Sequence, residues 1–180
     1  CDLTMLAPID PRPYTLLPSP RRDVLIGMAG AAGSGRRGEI VNALKEKKSL
    51  THYHKPGSLD ELTGSPYHEY VHFLRRCVFA LNNSMSSLGG THVKARIIEA
   101  GLAEACVLED ANKVTKSWFT PGEHYLEYNN TEDILNLIRI EPEKAIQIAK
   151  KLKARIEAHH TPRVFWETVF NCAGVDMEIK

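Results

Sequence analysis

No CxxC pair occurs in this chain, and its four cysteines (Cys1, Cys77, Cys106 and Cys172) stand far apart. That spacing gives neither a zinc ribbon nor a disulfide frame. The cysteines read as free thiols, which places the chain in a reducing, cytoplasmic compartment. Net charge is nearly absent as well, since 23 basic and 22 acidic residues leave only +1. A dedicated nucleic-acid binder carries a dominant basic face, which such a balance does not supply. No apolar run approaches the roughly 20 residues that a membrane span needs, so no integral membrane segment is expected. There is no signal-peptide pattern and no internal repeat. The first residue is Cys1 rather than methionine, from which we expect a trimmed piece of a longer chain.

What is present is ordinary for one globular domain. The 180 residues are 43% hydrophobic and 25% charged, enough for a sizeable core. Pro8, Pro11, Pro13, Pro18 and Pro20 crowd the first twenty positions. Residues 1–22 are therefore expected to be an extended, non-helical linker or inter-domain strap, and residues 23–180 the domain.

From Asp23 onward apolar runs alternate with helical periodicity. Strands are expected at 23–30, 50–54, 77–82, 105–108 and 125–128. Helices are expected at 36–47, 67–75, 92–103, from Thr131 as cap, from Pro142 with Ile146, Ala149, Leu152 and Ile156 at helical spacing, and at 162–172. Alternating strands and helices predict an α/β fold: a Rossmann-like parallel sheet with helices on both faces. Ligands of such sheets sit at the carboxyl ends of the strands, just after Gly30, Leu81 and Leu108.

Three motifs compete for the chemistry. Gly30-Ala-Ala-Gly-Ser-Gly35 has the frame of a P-loop, but Arg36 and Arg37 stand where lysine and a magnesium-binding hydroxyl are needed. A P-loop-like nucleotide kinase is thus the weaker alternative, while a glycine turn bringing two arginines near phosphates remains open. His68-Glu-Tyr-Val-His72 matches HExxH, yet the longer zinc-protease pattern does not follow, and two imidazoles on a surface helix explain it as well. No metal is expected. Third, Gly89-Gly90-Thr91-His92 leads into a helix carrying Lys94, Arg96 and Glu99. Helix-end amides and the two cations suit an anion. Glu99, roughly 7–10 Å further along, would offer acceptors to ribose hydroxyls. The competing view is an amphipathic helix with an Arg96–Glu99 surface pair.

From about Tyr67 to Phe170 the order of features resembles the carboxyl-terminal domain of GT-B fold, group-1 type glycosyltransferases. The matching stretches are Cys77-Val-Phe-Ala-Leu-Asn-Asn-Ser, Lys94-Ala-Arg-Ile-Ile-Glu-Ala, Val107-Leu-Glu-Asp, Trp118-Phe-Thr-Pro-Gly-Glu-His-Tyr-Leu-Glu-Tyr and Asn130-Thr-Glu-Asp-Ile-Leu-Asn-Leu-Ile-Arg. The resemblance implies half of a two-domain enzyme that binds a nucleoside diphosphate sugar and transfers its glycosyl group to an acceptor hydroxyl, in surface polysaccharide or glycoconjugate synthesis. It implies that Glu99 binds the ribose and that Lys94 or Arg96 lies near the diphosphate. Arg36, Arg37, Asn82, Gly89, Gly90, Thr91 and His92 complete the expected donor site, and no cofactor is called for. The helix around Trp166 would cross back to an amino-terminal, acceptor-binding domain that supplies any general base, so this piece alone would turn over little. Two departures stand out: Thr91 replaces a second glutamate eight positions before Glu99, and Glu104-Ala105 replaces a Cys-Gly pair. They leave room for a degenerate donor domain acting as an interaction module.

Overall fold

A computed structural model of the chain describes residues 5–15, 20–30, 35–53, 67–84 and 90–175. Five strands form one sheet among them: β1 (Val24–Ala29), β2 (Leu50–Tyr53), β3 (Cys77–Leu81), β4 (Cys106–Asp110) and β5 (Leu126–Tyr128). Their order is β2-β1-β3-β4-β5, and every pairing is parallel. The strands are short and largely apolar because a parallel sheet is covered on both faces. Alternate residues divide accordingly. Ile26, Met28, Phe79, Leu81 and Leu108 enter one core cluster, whereas Ala29, Ala80 and Val107 enter the other.

The first cluster is closed by α2 (Arg36–Glu46), through Ile40, Val41 and Leu44. The second is closed by α3 (Tyr67–Arg76) and α4 (Ala95–Leu102), through Val71, Phe73, Leu74, Ile97 and Ile98. The fit of α3 is close: a Cβ on Gly27 would stand 3.0 Å from the Phe73 ring of α3. The long α7 (Pro142–His159) contributes to both clusters with Ala145, Ile148, Ala149, Leu152 and Ile156. The larger of these, Ile148, Leu152 and Ile156, each contribute about 1.5–3 kcal/mol when fully buried.

The sheet order reverses between β1 and β3, so the crevice outside their carboxyl ends is the switch point at which doubly wound folds take ligands. It lies just beyond Ala29 and Leu81.

Several expectations need correction. The proline-rich segment does hold a helical turn, α1 (Arg12–Thr15). Proline is harmless in a first helical turn, and Asp10 Oδ1 accepts from the Arg12 amide at 2.9 Å. Nor does this segment hang free. Tyr14 is buried, Leu6 and Ile9 pack against the second cluster, and Arg22 donates to the Cys77 and Ala103 carbonyls at 2.5 and 3.0 Å. The helix expected from His92 begins at Ala95, because Lys94 is extended (φ −84°, ψ 144°). Asn130, not Thr131, caps α6 (Thr131–Leu137), its side chain accepting from the Asp133 amide at 2.9 Å. A short α5 (Lys113–Lys116), capped by Asn112, was not foreseen. The final α8 (Pro162–Cys172) falls where expected but has no fully buried residue, and Trp166 is half exposed.

Candidate functional site

The crevice is built from backbone outward. Where β1 ends, Gly30 turns to φ +89°, a conformation that favours glycine. Its amide donates to the Tyr53 carbonyl at 3.0 Å, and its own carbonyl accepts from His52 Nε2 at 2.6 Å. The turn is thereby fixed against β2. The Arg96 guanidinium from α4 lies over it, with Nη2 3.0 Å from where a Cβ of Gly30 would be.

Arg37, in the first turn of α2, enters the same crevice among Met28, Val41, Leu81, Asn83 and Tyr128. The cleft left there has a volume of only about 10 Å³, space for about one water, so Arg37 nearly fills it. Lys94 completes the group, donating from Nζ to the Asn83 carbonyl at 2.5 Å.

Three cations thus converge, with the buried Glu109 and Asp110 close enough to act on Lys94. Among the described residues none of them forms an ion pair. Nε of Arg37 and both Nε and Nη1 of Arg96 are buried with no hydrogen-bond partner. Burial, then the charge of Arg96, holds Arg37 below its ordinary pKa. Burial, then Arg37 and Arg96, does the same for Lys94. Unsatisfied buried donors cost about 1–3 kcal/mol each, a cost that a bound anion would remove.

Glu99 sits one turn along α4, where Oε2 accepts from the Tyr70 hydroxyl of α3 at 2.7 Å. The expected surface pair with Arg96 is not among the ion pairs of the described residues. Tyr67 packs beside Tyr70 and its hydroxyl meets that of Tyr14 at 2.8 Å. A row of phenols therefore lines the side of the crevice nearest the amino-terminal segment. Sequence reasoning had passed over these tyrosines. Three of them at i, i+3 spacing or one strap away show no pattern until the fold joins them.

A second group went equally unassigned. Glu109 and Asp110, at the carboxyl end of β4, are fully buried. Asn82 Nδ2 donates to Glu109 Oε2 at 2.6 Å and the Ser84 amide to Asp110 Oδ1 at 2.5 Å. Burial, with the neighbouring Asp110 charge, pushes Glu109 up to about 8. The early signals were their position directly after Leu108, at a strand end, and their place in the Val107-Leu-Glu-Asp stretch.

The remaining candidates divide. Arg37, Lys94, Arg96 and Glu99 gather at the switch point. Asn82 lines the same cleft as Arg37; its side chain is held on Glu109, and its carbonyl accepts from Tyr128 at 2.8 Å. Arg36 is exposed and reaches the Asn129 carbonyl beyond β5. Gly90, Thr91 and His92 are extended, with the His92 amide on the Ser84 carbonyl at 3.3 Å. They precede the helix, which begins at Ala95, five residues after Gly90. Gly89 and the turn at 31–34 lie outside the described residues. His68 and His72 are both exposed on α3, and Glu69 accepts from Tyr53 at 3.3 Å. Among the described residues no three His, Cys, Asp or Glu side chains gather as a metal site.

Residues 36–171 match a family model described as glycosyl transferase-like. No curated protein sequence matches the chain. Among solved structures it is similar to HepE from Anabaena, in complex with UDP and glucose. There the TM-score is 0.65 at 12% identity, over 85% of this chain and 48% of that one. It is also similar to a mutant of TarM from S. aureus in complex with UDP, with a TM-score of 0.61 at 13% identity, over 84% of this chain and 35% of that one. The carboxyl-terminal domain of the group 1 glycosyl transferase LpcC, from Francisella tularensis, gives 0.52 at 12% identity, over 79% of this chain and 88% of that domain. The chain spans half or less of the HepE and TarM chains, and most of the isolated carboxyl-terminal domain. At such identities the likeness shows the fold: one half of a GT-B architecture.

Proposed function

We propose that this chain, which belongs to the glycosyl transferase-like family, binds the nucleoside diphosphate sugar from which a glycosyl group passes to an acceptor hydroxyl. The observation that carries this reading is the unpaired cation group at the β1/β3 switch point, one helical turn from a carboxylate. Lys94, Arg96 and the visible edge of Arg37 receive the diphosphate. Glu99 accepts from the ribose hydroxyls. As the bond between anomeric carbon and diphosphate oxygen breaks, negative charge grows on the leaving group. Cations already unpaired and partly desolvated stabilise that charge without reorganising. This arrangement supplies what a metal ion supplies elsewhere, so we propose a reaction without one.

Complexes of HepE and TarM with UDP favour a uridine nucleotide. The acceptor hydroxyl would come with a second α/β domain, which also brings any general base. The uncovered face of α8 around Trp166 suits contact with that domain. Surface polysaccharide or another glycoconjugate is the proposed product, made at the cytoplasmic side. The described domain alone would hold donor and transfer little.

Thermal unfolding with UDP, GDP, CDP and ADP tests the proposal. A ligand at 100 times its Kd stabilises by about 2.7 kcal/mol. The expected result is a shift with at least one of them, lost in Glu99→Ala and in Arg96→Ala. A chain indifferent to all four at millimolar concentration is instead a degenerate domain.

A further inference from the structure

Arginine and glutamate three residues apart on a helix ordinarily pair. Arg96 and Glu99 stand at that spacing on α4, yet no ion pair joins them. Between them comes the Tyr70 hydroxyl. It donates to Glu99 Oε2 at 2.7 Å, and the Arg96 guanidinium approaches the phenol oxygen. A phenol has one proton to give and lone pairs to receive, so it can satisfy the carboxylate and accept from the guanidinium at once. Arg96 is thereby left turned toward Gly30, with two buried N–H groups unused. Glu99 is left with Oε1 open and one rotamer fixed.

We propose that Tyr70 is a positioning residue that sets selectivity for ribose over deoxyribose, by anchoring Glu99 and keeping it from collapsing onto Arg96. The inference rests on the donor-site reading above. A carboxylate receives two vicinal hydroxyls well only when both oxygens hold a fixed plane, and a single anchor on Oε2 supplies that while Oε1 stays free. Without the phenol, the nearest partner for Glu99 is Arg96, and the groups meant for opposite ends of one ligand would neutralise each other. Tyr70 is itself held in place. Its ring lies 6.0 Å from that of Tyr67, whose hydroxyl meets buried Tyr14 of α1. The amino-terminal segment is thus part of the support.

The test uses the whole chain and dissociation constants for UDP, GDP, CDP and ADP. The tightest binder is then compared with its 2′-deoxy counterpart. Wild type is expected to prefer the ribonucleotide by tenfold or more. Tyr70→Phe, with its folding checked by thermal unfolding, is expected to bind more weakly and with that preference reduced to within about twofold. Adding Arg96→Met to Tyr70→Phe removes the competing cation and is expected to recover part of the preference at lower affinity. A Tyr70→Phe protein that binds with the wild-type preference overturns the proposal and leaves the donor-site reading standing. A double variant as indifferent as the single one removes the separating role. A wild-type chain that binds none of the ribonucleotides overturns the donor site itself, and this proposal with it.

Discussion

Arg96 Nη2 lies 3.0 Å from the point where a side chain on Gly30 would begin. The end of the first strand and the first turn of α4, 66 positions apart, are fitted to each other with no space to spare. Gly30→Ala therefore has two consequences. The backbone at φ +89° costs about 1–2 kcal/mol for any L side chain, and the methyl group displaces the guanidinium. We expect a lower melting temperature and at least a tenfold loss of nucleoside diphosphate affinity, read by calorimetric titration.

Arg37 illustrates stability given up for a site. Its side chain fills an apolar cleft with Nε unsatisfied and a second guanidinium nearby. Arg37→Leu suits Met28, Ile40 and Val41 better. Without ligand it should stabilise by about 1 kcal/mol, the cost of a buried unpaired donor. Thermal unfolding with and without UDP checks both halves: higher melting without nucleotide, and a smaller shift with it.

Glu109 should make stability fall as pH rises. Its ordinary value is 4.5, and burial lifts it to about 8 in the folded protein. Below 4.5 both states hold the proton. Between there and about 8 the folded state holds it and the unfolded state does not, so each increment of pH favours unfolding. Glu109→Gln removes that slope while an amide oxygen still accepts from Asn82. Denaturant titrations from pH 5 to 9 should show the variant gaining on wild type up to about pH 8 and holding level above it. Parallel curves would mean that the carboxyl is already ionised at pH 5.

Glu104 occupies a left-handed position (φ +56°) at the end of α4, where Ala105 and Glu104 amides close back on Ala100 and Gly101. Its carboxylate is held by Lys153 of α7 at 2.5 Å, which keeps it below the usual glutamate range. This is a half-exposed pair, worth about 0.2–1 kcal/mol, set against about 1 kcal/mol of backbone strain. Glu104→Gly should thus be near neutral in the wild type but stabilising by about 1 kcal/mol in a Lys153→Met background. A double-mutant cycle by urea unfolding measures the difference. The wild-type pair should also fade as pH falls through the lowered glutamate value, because its contribution requires the ionised carboxylate.

The departures from the glycosyltransferase pattern look different in three dimensions. Glutamate in place of cysteine just after α4 is compensated locally by Lys153, with Arg22 nearby. It alters the scaffold and leaves the cation group untouched. Thr91, where that pattern has its second glutamate, lies three residues before Lys94 on the segment that leads into the cation group.

Local sequence determined a good deal. Alternating apolar runs and 3.6-residue periodicity set the class of fold, since a strand buried on both faces and a helix buried on one leave different traces. The charges at Arg96 and Glu99, with Lys94 just before them, marked the candidate helix, because three and four residues are one helical turn whatever surrounds it. Tertiary structure decided what those charges do. Whether Arg96 pairs with Glu99 depends on a phenol brought by another helix, the Asn82 side chain is fixed by a carboxylate from the neighbouring strand, and Arg36 and Arg37 part company according to which wall each can reach. Periodicity is a property of successive residues. Pairing, burial and pKa arise between elements far apart in the chain, and only the parallel sheet brings them within hydrogen-bonding distance.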